Sequence, residues 1–196
     1  MQNTFTSIKE LLGKNGVAVE NIEKIISAFK PMNLKKGEVF SQTGKRTNKL
    51  GILIDGLLLA KYETPNSKND IISRFYYSPR NIIVASFESF YHGRISNETI
   101  EAVEDSYLTI ITKEDLFDLY NKIPEMHKIG RLMAEQSYIF ALQRIHQLQG
   151  MNVKERIEDF HKSHPELANR LQIQQICSYL GTNRNALAKF TGSKKK

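Results

Sequence analysis

The chain has 196 residues, 40% of them hydrophobic and 25% charged, with a formal net charge of +7 and a single cysteine. This composition is globular, and the length suits one domain plus a smaller second one. One cysteine excludes an intramolecular disulfide and any zinc or iron–sulfur site held by four cysteines of one chain. No apolar run reaches the roughly 18 residues of a membrane-spanning helix, and the start MQNTFTSIKE lacks the basic-then-apolar order of a secretion signal. A cytoplasmic protein with no membrane partner is expected.

Charge is unevenly placed. The first 150 residues carry 19 Lys and Arg against 17 Asp and Glu, and residues 151–196 carry 9 against 4. The basic excess therefore sits at the C-terminal end, as in a segment that neutralises phosphates. Lys194, Lys195 and Lys196 supply three of those charges and read equally well as a solubilising tail.

Residues 4–14 and 18–29 read as helices. In the second, Val19, Ile22, Ile25, Ile26 and Phe29 form one apolar stripe, and Pro31 ends the pattern. From Leu34 to Thr112 the period changes to short β-rich runs at 38–42, 50–54, 57–63, 70–77, 99–103 and 106–111. Gly44, Asp55-Gly56, Pro65-Asn66-Ser67, Ser78-Pro79 and His92-Gly93 stand between them. Asp55-Gly56 between two apolar runs predicts a hairpin. Short strands so punctuated predict a β-barrel, roll or sandwich.

Thr112, with Asp115 three residues on, predicts a helix start. Leu116, Leu119 and Tyr120 give that helix an apolar face. Pro124 opens a second helical pattern running to about Gln149, with Gly150 as its stop. At 1.5 Å per residue such a helix is nearly 40 Å long, more than a small domain needs. Its apolar positions cover more than one face, so one can pack on the roll and another on a second copy of the helix. The seam expected for a homodimer comprises Ile129, Leu132, Met133, Gln136, Ile139, Phe140 and Gln143. A long helix covering its own domain is the alternative. Asn152 with Glu155 caps a further helix through Phe160, and Pro165 begins a short turn.

The last stretch, LQIQQICSYLGTNRNALAKF over residues 171–190, carries the clearest motif. Ile173, Ile176 and Leu180 share one helical face, and Leu187 and Phe190 share another. Gly181 stands where the chain must reverse, and Asn183 suits the N-cap of the next helix. Cys177 is small where two crossing helices approach. This is the pattern of a helix-turn-helix, whose second helix enters the major groove of double-stranded DNA. The DNA-contacting set would be Gln174, Thr182, Asn183, Arg184, Asn185 and Lys189. Arg can pair bidentately with guanine and Asn with adenine, while Thr and Lys suit phosphates or bases. An ordinary helical hairpin with polar residues in water is the alternative.

The order of β-roll, long helix and C-terminal helix-turn-helix resembles the catabolite activator/fumarate–nitrate regulator (Crp/Fnr) family of bacterial transcription factors. The residues that carry the likeness are Leu34-Lys35-Lys36-Gly37-Glu38, Ile54-Asp55-Gly56, Ala102-Val103-Glu104-Asp105 with Leu108, and Leu180-Gly181-Thr182-Asn183-Arg184-Asn185. It spans roughly residues 5 to 190. The Ser178-Tyr179-Leu180-Gly181 run is similar to short members from Bacteroidetes-type bacteria. The resemblance implies an α+β fold. A cyclic-nucleotide-binding-like β-roll (double-stranded jelly roll) with flanking helices would span residues 1–123, and a dimerisation helix 124–150. A helix-turn-helix domain lacking a full wing would span 151–196. It also implies a homodimer on a palindromic operator, an unknown small-molecule effector, and RNA polymerase as a candidate partner.

Two departures bear on that expectation. Cyclic-nucleotide-binding relatives carry Gly-Glu-Leu and Arg-Ser/Thr-Ala, the Glu holding the ribose and the Arg neutralising the cyclic phosphate. The corresponding stretches here are Val84-Ala85-Ser86-Phe87 and Ser96-Asn97-Glu98. Both key side chains are missing, which leaves Ala85, Ser86, Arg94, Ser96 and Asn97 as a degenerate cassette. Cyclic AMP is therefore not the expected effector, and a cyclic-nucleotide-binding regulator is the lesser alternative. The family's β-hairpin wing is also replaced by Thr191-Gly192-Ser193 and three lysines. Relative to the family, Asn185 replaces a glutamate and Lys189 an arginine, which changes the expected operator and loses one bidentate fork. A ligand-sensing or protein-interaction module with a vestigial helix-turn-helix is the competing reading.

Nothing points to an enzyme or to a resident metal or cofactor. His161 and His164 are three apart without an accompanying Cys or carboxylate cluster, and His92 reads as a loop residue. Glu101, Glu104 and Asp105 read as a solvated strand edge, and Met126, Met133 and Met151 as packing residues.

Overall fold

The computed structural model describes residues 8–10, 12–64 and 70–191, the side chains of Phe190 and Thr191 excepted. The chain forms two compact units. One comprises the residues up to Ala60 together with Phe75–Gln136, and the other comprises Lys61–Arg74 together with the chain from Ser137 onward.

Two antiparallel sheets form a roll, most of it in the first unit, with residues 61–62 and 71–74 of its strands in the second. Strands β1 (Lys30–Leu34), β2 (Val39–Ser41), β3 (Lys49–Asp55), β4 (Leu57–Tyr62), β5 (Ile71–Tyr77), β6 (Ile83–Val84), β7 (Thr99–Ala102) and β8 (Ser106–Thr112) divide between them. Their orders are β1-β8-β3-β6 and β2-β7-β4-β5. In the first sheet Lys30 faces Ile110 and Leu34 faces Ser106, while Lys49 faces Thr112 and Leu53 faces Leu108. Leu34, Phe40, Leu53, Leu58, Tyr76, Ile100 and Leu108 fill the space between the sheets.

Three features of this unit depart from the sequence reading. Pro31 lies within β1 rather than merely ending a helix; β1 is an edge strand, where the missing N–H costs no ladder bond. Asp55-Gly56 is not a hairpin turn, because β3 and β4 belong to different sheets. Gly56 makes a corner with φ +102, and a Cβ there would lie 2.6 Å from the Ser106 Cα. The third is Val19, which is 79% exposed although it lies on the predicted stripe, while Ile22 and Ile25 are buried. Helix α1 (Val19–Ala28) therefore seats the stripe from Ile22 onward, with Ile26 and Phe29 partly buried against the same core as Ile22 and Ile25, and leaves Val19 in water.

A second core lies where helices cover the roll. Short α2 (Phe87–His92), which the sequence reading did not anticipate, contributes Phe90, and α3 (Lys113–Lys122) contributes Leu116 and Leu119. The predicted cap of α3 is in place, with the Asp115 amide donating to the Thr112 hydroxyl at 3.1 Å. Helix α4 (Glu125–Gly150) is 26 residues long. Met126 and Ile129 at its start are buried in this same core. Gly150 closes the helix from within rather than standing beyond it.

The second unit contains the remainder of α4, then α5 (Val153–Ser163), a 3-10 turn at Leu167–Asn169, α6 (Ile173–Leu180) and α7 (Arg184–Thr191). Asn152 and Glu155 form a reciprocal capping box at the start of α5. Helices α5, α6 and α7 pack on one another. Ile157, Phe160, Leu167, Leu171, Ile176, Tyr179, Leu180 and Leu187 are buried there.

Candidate nucleic-acid interface

The turn between α6 and α7 follows from three residues. Gly181 adopts φ +61, left-handed backbone that ends α6. The Thr182 amide donates to the Cys177 carbonyl at 3.0 Å and the Gly181 amide to Ser178 at 3.2 Å. Those two bonds form the Schellman arrangement, which satisfies carbonyls a helix end would otherwise orphan. Asn183 then caps α7, its Oδ1 accepting from the Ala186 amide at 2.9 Å.

Four residues expected at DNA (Asn183, Arg184, Asn185 and Lys189) are exposed, Thr182 is half-buried and Gln174 is exposed on α6. Leu187 is buried, so α7 turns its apolar side inward and carries Asn185 and Lys189 on the opposite side. From Leu167 to the C-terminus the chain contains no Asp or Glu, while Arg170, Arg184, Lys189 and the three terminal lysines are basic. Those lysines lie outside the described residues. Cys177 is buried, and burial pushes its thiol upward while Arg184 pulls it down. Ile173, placed by its spacing on the packing face of α6, is 57% exposed. It is the first residue of the helix, where the neighbouring helices do not reach it.

Two arginines hold the C-terminal end of α6. Arg144 donates to the Tyr179 carbonyl, and its guanidinium lies 3.8 Å over the Tyr179 ring. Arg156 donates from Nε to the Leu180 carbonyl at 2.8 Å and from a terminal nitrogen to the Met151 carbonyl at 2.8 Å. Cations placed at the negative end of a helix are favoured, and α6 receives two. Burial lowers the Arg144 pKa and raises that of Tyr179, as expected for a stacked pair withdrawn from water. Neither arginine carries a local sequence signal, because their partners on α6 lie 35 and 24 residues away.

Along α4, the expected dimer residues have different fates. Ile129 is 4% exposed and packs with Leu119, Ile123 and Met126, so it belongs to the core rather than to an open seam. Met133 is partly buried against the same core. Leu132 and Ile139 are exposed at 37% and 44%, Gln136 and Gln143 are exposed, and Phe140 is half-buried. Tyr138, Leu142, Ile145 and Leu148, absent from the expected seam, are likewise exposed. Their three- and four-residue spacing makes one apolar strip.

In the roll, Ser86 and Ser96 are both buried and bonded to each other, their hydroxyl oxygens 2.9 Å apart. Ser96 also donates to the Glu98 carbonyl at 2.7 Å. Glu98 is itself buried. Arg94 is exposed and reaches toward Glu88 at 3.6 Å rather than into the roll. Ala85 is buried and Asn97 exposed. The cassette thus presents two neutral hydroxyls already bonded to each other, a poor setting for a cyclic phosphate.

Among the described residues no helix is long and apolar enough to cross a membrane, and no group of three or more His, Cys, Asp and Glu could hold a metal ion. No protein-family model matches the sequence, and no curated protein is significantly similar to it. Solved structures are similar in fold. FixK2 from Bradyrhizobium japonicum superposes with a TM-score of 0.72 at 12% identity, covering 84% of this chain and 83% of its own. The c-di-GMP-responsive global regulator CLP of Xanthomonas campestris gives 0.69 at 14% identity, with 90% and 91% covered. A Eubacterium rectale protein assigned to the Crp/Fnr family of transcriptional regulators gives 0.69 at 15%, with 91% and 84% covered. In architecture, then, a roll of two antiparallel sheets followed by a long helix and a helix-turn-helix, this chain has the fold of the Crp/Fnr transcriptional regulators.

Proposed function

We propose that the chain is a transcriptional regulator that binds double-stranded DNA as a homodimer through α6 and α7, with the roll sensing an effector other than a cyclic nucleotide. The carrying observation is the exposed, carboxylate-free surface of α7 and its turn, bearing Asn183, Arg184, Asn185 and Lys189. Arg and Asn on one helix supply bidentate donors for guanine and adenine edges, and Lys supplies a phosphate contact. The exposed apolar strip of Tyr138, Leu142, Ile145 and Leu148 supports a dimer, since a two-fold pairing of the helix with its copy would cover it. A dimer presents two recognition helices to half-sites about 34 Å apart. An effector acting on their spacing would gate binding, with RNA polymerase as the downstream partner.

The test is fluorescence anisotropy with a labelled duplex from the gene's own upstream region, titrated against random duplex over a range of salt. Tighter binding to the upstream duplex is expected, with affinity falling linearly in log salt. No binding to either duplex at low salt overturns the reading and leaves a protein-interaction role for the helix-turn-helix.

A further inference from the structure

We propose that the end of β4 at Lys61 and the entry to β5 at Asp70–Ile72 form an autoinhibitory latch on α6, closed by the Ser178 hydroxyl. The inference rests on the DNA-binding reading above and adds a control to the same site.

Ser178 is bonded in both directions. Its Oγ accepts from the Ile72 amide at 3.0 Å and donates to the Asp70 carbonyl at 2.7 Å. These partners are more than a hundred residues away in sequence. The Asp70 carboxylate is paired with Lys61 at 3.0 Å, which ties the end of β4 to the entry of β5 at the point of contact. The Ile72 side chain is buried. One hydroxyl therefore occupies an amide of β5 and the carbonyl of the residue just before it, groups that would otherwise be left to water.

The position of Ser178 on α6 gives the contact its consequence. Ile176, Cys177, Tyr179 and Leu180 are the buried residues of this helix. At 100° per residue, Ser178 falls on the side away from their centre, one turn beyond Gln174 and on the same face. When a helix-turn-helix docks, its first helix crosses the DNA backbone while the second enters the groove. The Asp70–Ile72 segment seated on the outward face of α6 and a sugar-phosphate strand compete for one surface. Strand β5 begins in this unit and continues to Phe75–Tyr77, which are buried in the roll. The latched and released forms are two states of one equilibrium, and whatever favours release raises duplex affinity by the same factor.

The experiment compares wild type, Ser178→Ala and Ser178→Thr for binding to the upstream duplex at one salt concentration. Hydrogen exchange at the Ile72 amide is followed in parallel. Removing the hydroxyl is expected to raise duplex affinity about tenfold, the scale of two modest hydrogen bonds. Threonine, which keeps the hydroxyl, is expected to bind as wild type does. The Ile72 amide is expected to exchange faster in the Ala variant, and also in wild type saturated with duplex. Equal duplex affinity in wild type and Ser178→Ala overturns the latch while leaving the DNA reading standing. A gain shared by Ala and Thr overturns it as well, since packing rather than the hydroxyl would then be responsible. An Ile72 amide that stays slow in the duplex-bound protein overturns the competition. Absence of duplex binding in all three proteins overturns the DNA reading and the latch with it.

Discussion

The Arg144 guanidinium lies 3.8 Å above the ring of Tyr179 and also donates to that residue's carbonyl, so one side chain of α4 grips both the face and the backbone of α6. A further bond to the Gln147 side chain at 3.3 Å orients the fork. Arg144→Ala is expected to destabilise the C-terminal unit by about 1–3 kcal/mol, from the stacked cation and the lost carbonyl bond. Arg144→Lys restores little, because an ammonium cannot stack flat on a ring while bonding two acceptors. Urea unfolding followed by amide exchange on α6 measures both; unchanged protection on α6 in the Ala variant would refute the account.

At the corner between the sheets, Gly56→Ala places a methyl 2.6 Å from the Ser106 Cα, in backbone with φ +102. Strain and overlap act together, and a loss of roughly 2 kcal/mol or more is expected. Trimming Ser106 to Ala should not rescue it, since the clash includes backbone. Thermal unfolding of the single and double variants decides this, and rescue by Ser106→Ala would contradict it.

Asp105 and Lys35 form an exposed pair at 2.8 Å, with the Lys36 amide also donating to Asp105. The hydrogen bond from Lys35 is the main cause of a lowered Asp105 pKa, with the Lys36 amide next. The bond to Asp105 likewise raises Lys35 above the ordinary lysine value. Asp105 therefore contributes stability above about pH 4 and loses it as pH falls through its lowered folded value. Lys35 contributes fully below about pH 10 and loses its share as pH rises through its raised value. Asp105→Asn is expected to fall below wild type in the window between, with the gap closing at either end and shrinking in salt. Chemical denaturation at several pH values measures it; a gap that widens in acid would reverse the sign.

Leu142→Asp and Ile145→Asp put a carboxylate into the exposed strip of α4, where Leu142 is 47% and Ile145 50% exposed. Each change removes roughly 1.5–3 kcal/mol of apolar burial at a dimer seam and adds charge desolvation, so dissociation should rise at least about a hundredfold. The folded protomer should be unharmed, because neither side chain is buried in it. Sedimentation of the two variants beside Ile129→Asp makes the contrast sharp, since the latter is expected to unfold the core it sits in.

Arg184→Ala is expected to cost about 1–3 kcal/mol on the upstream duplex and clearly less on random DNA, the signature of a base-reading arginine. An equal loss on both duplexes would make Arg184 a phosphate contact.

Much of the helix-turn-helix is local, and for that reason it is legible in the amino-acid order. The Gly181 reversal, the caps at Asn183 and Thr112 and the box at Asn152 are each formed by groups within about five residues of one another. The β-rich runs also lie close to six of the eight strands, because alternation and turn residues act over a few positions. What the tertiary structure decided involves choices between distant partners. Periodicity marked apolar sides of α1, α4 and α6, yet which members would be covered depended on surfaces elsewhere, so Val19 and Ile173 stand exposed while Ile129 is buried. The Asp55-Gly56 corner became a passage between sheets because the next strand found its partners in the other one. The mutual bond of Ser86 and Ser96, the grip of Arg144 on Tyr179 and the latch of Ser178 on Ile72 join residues 10, 35 and 106 positions apart. Such pairings are set by burial of the whole chain, and no window of sequence short enough to show a period contains both members' surroundings.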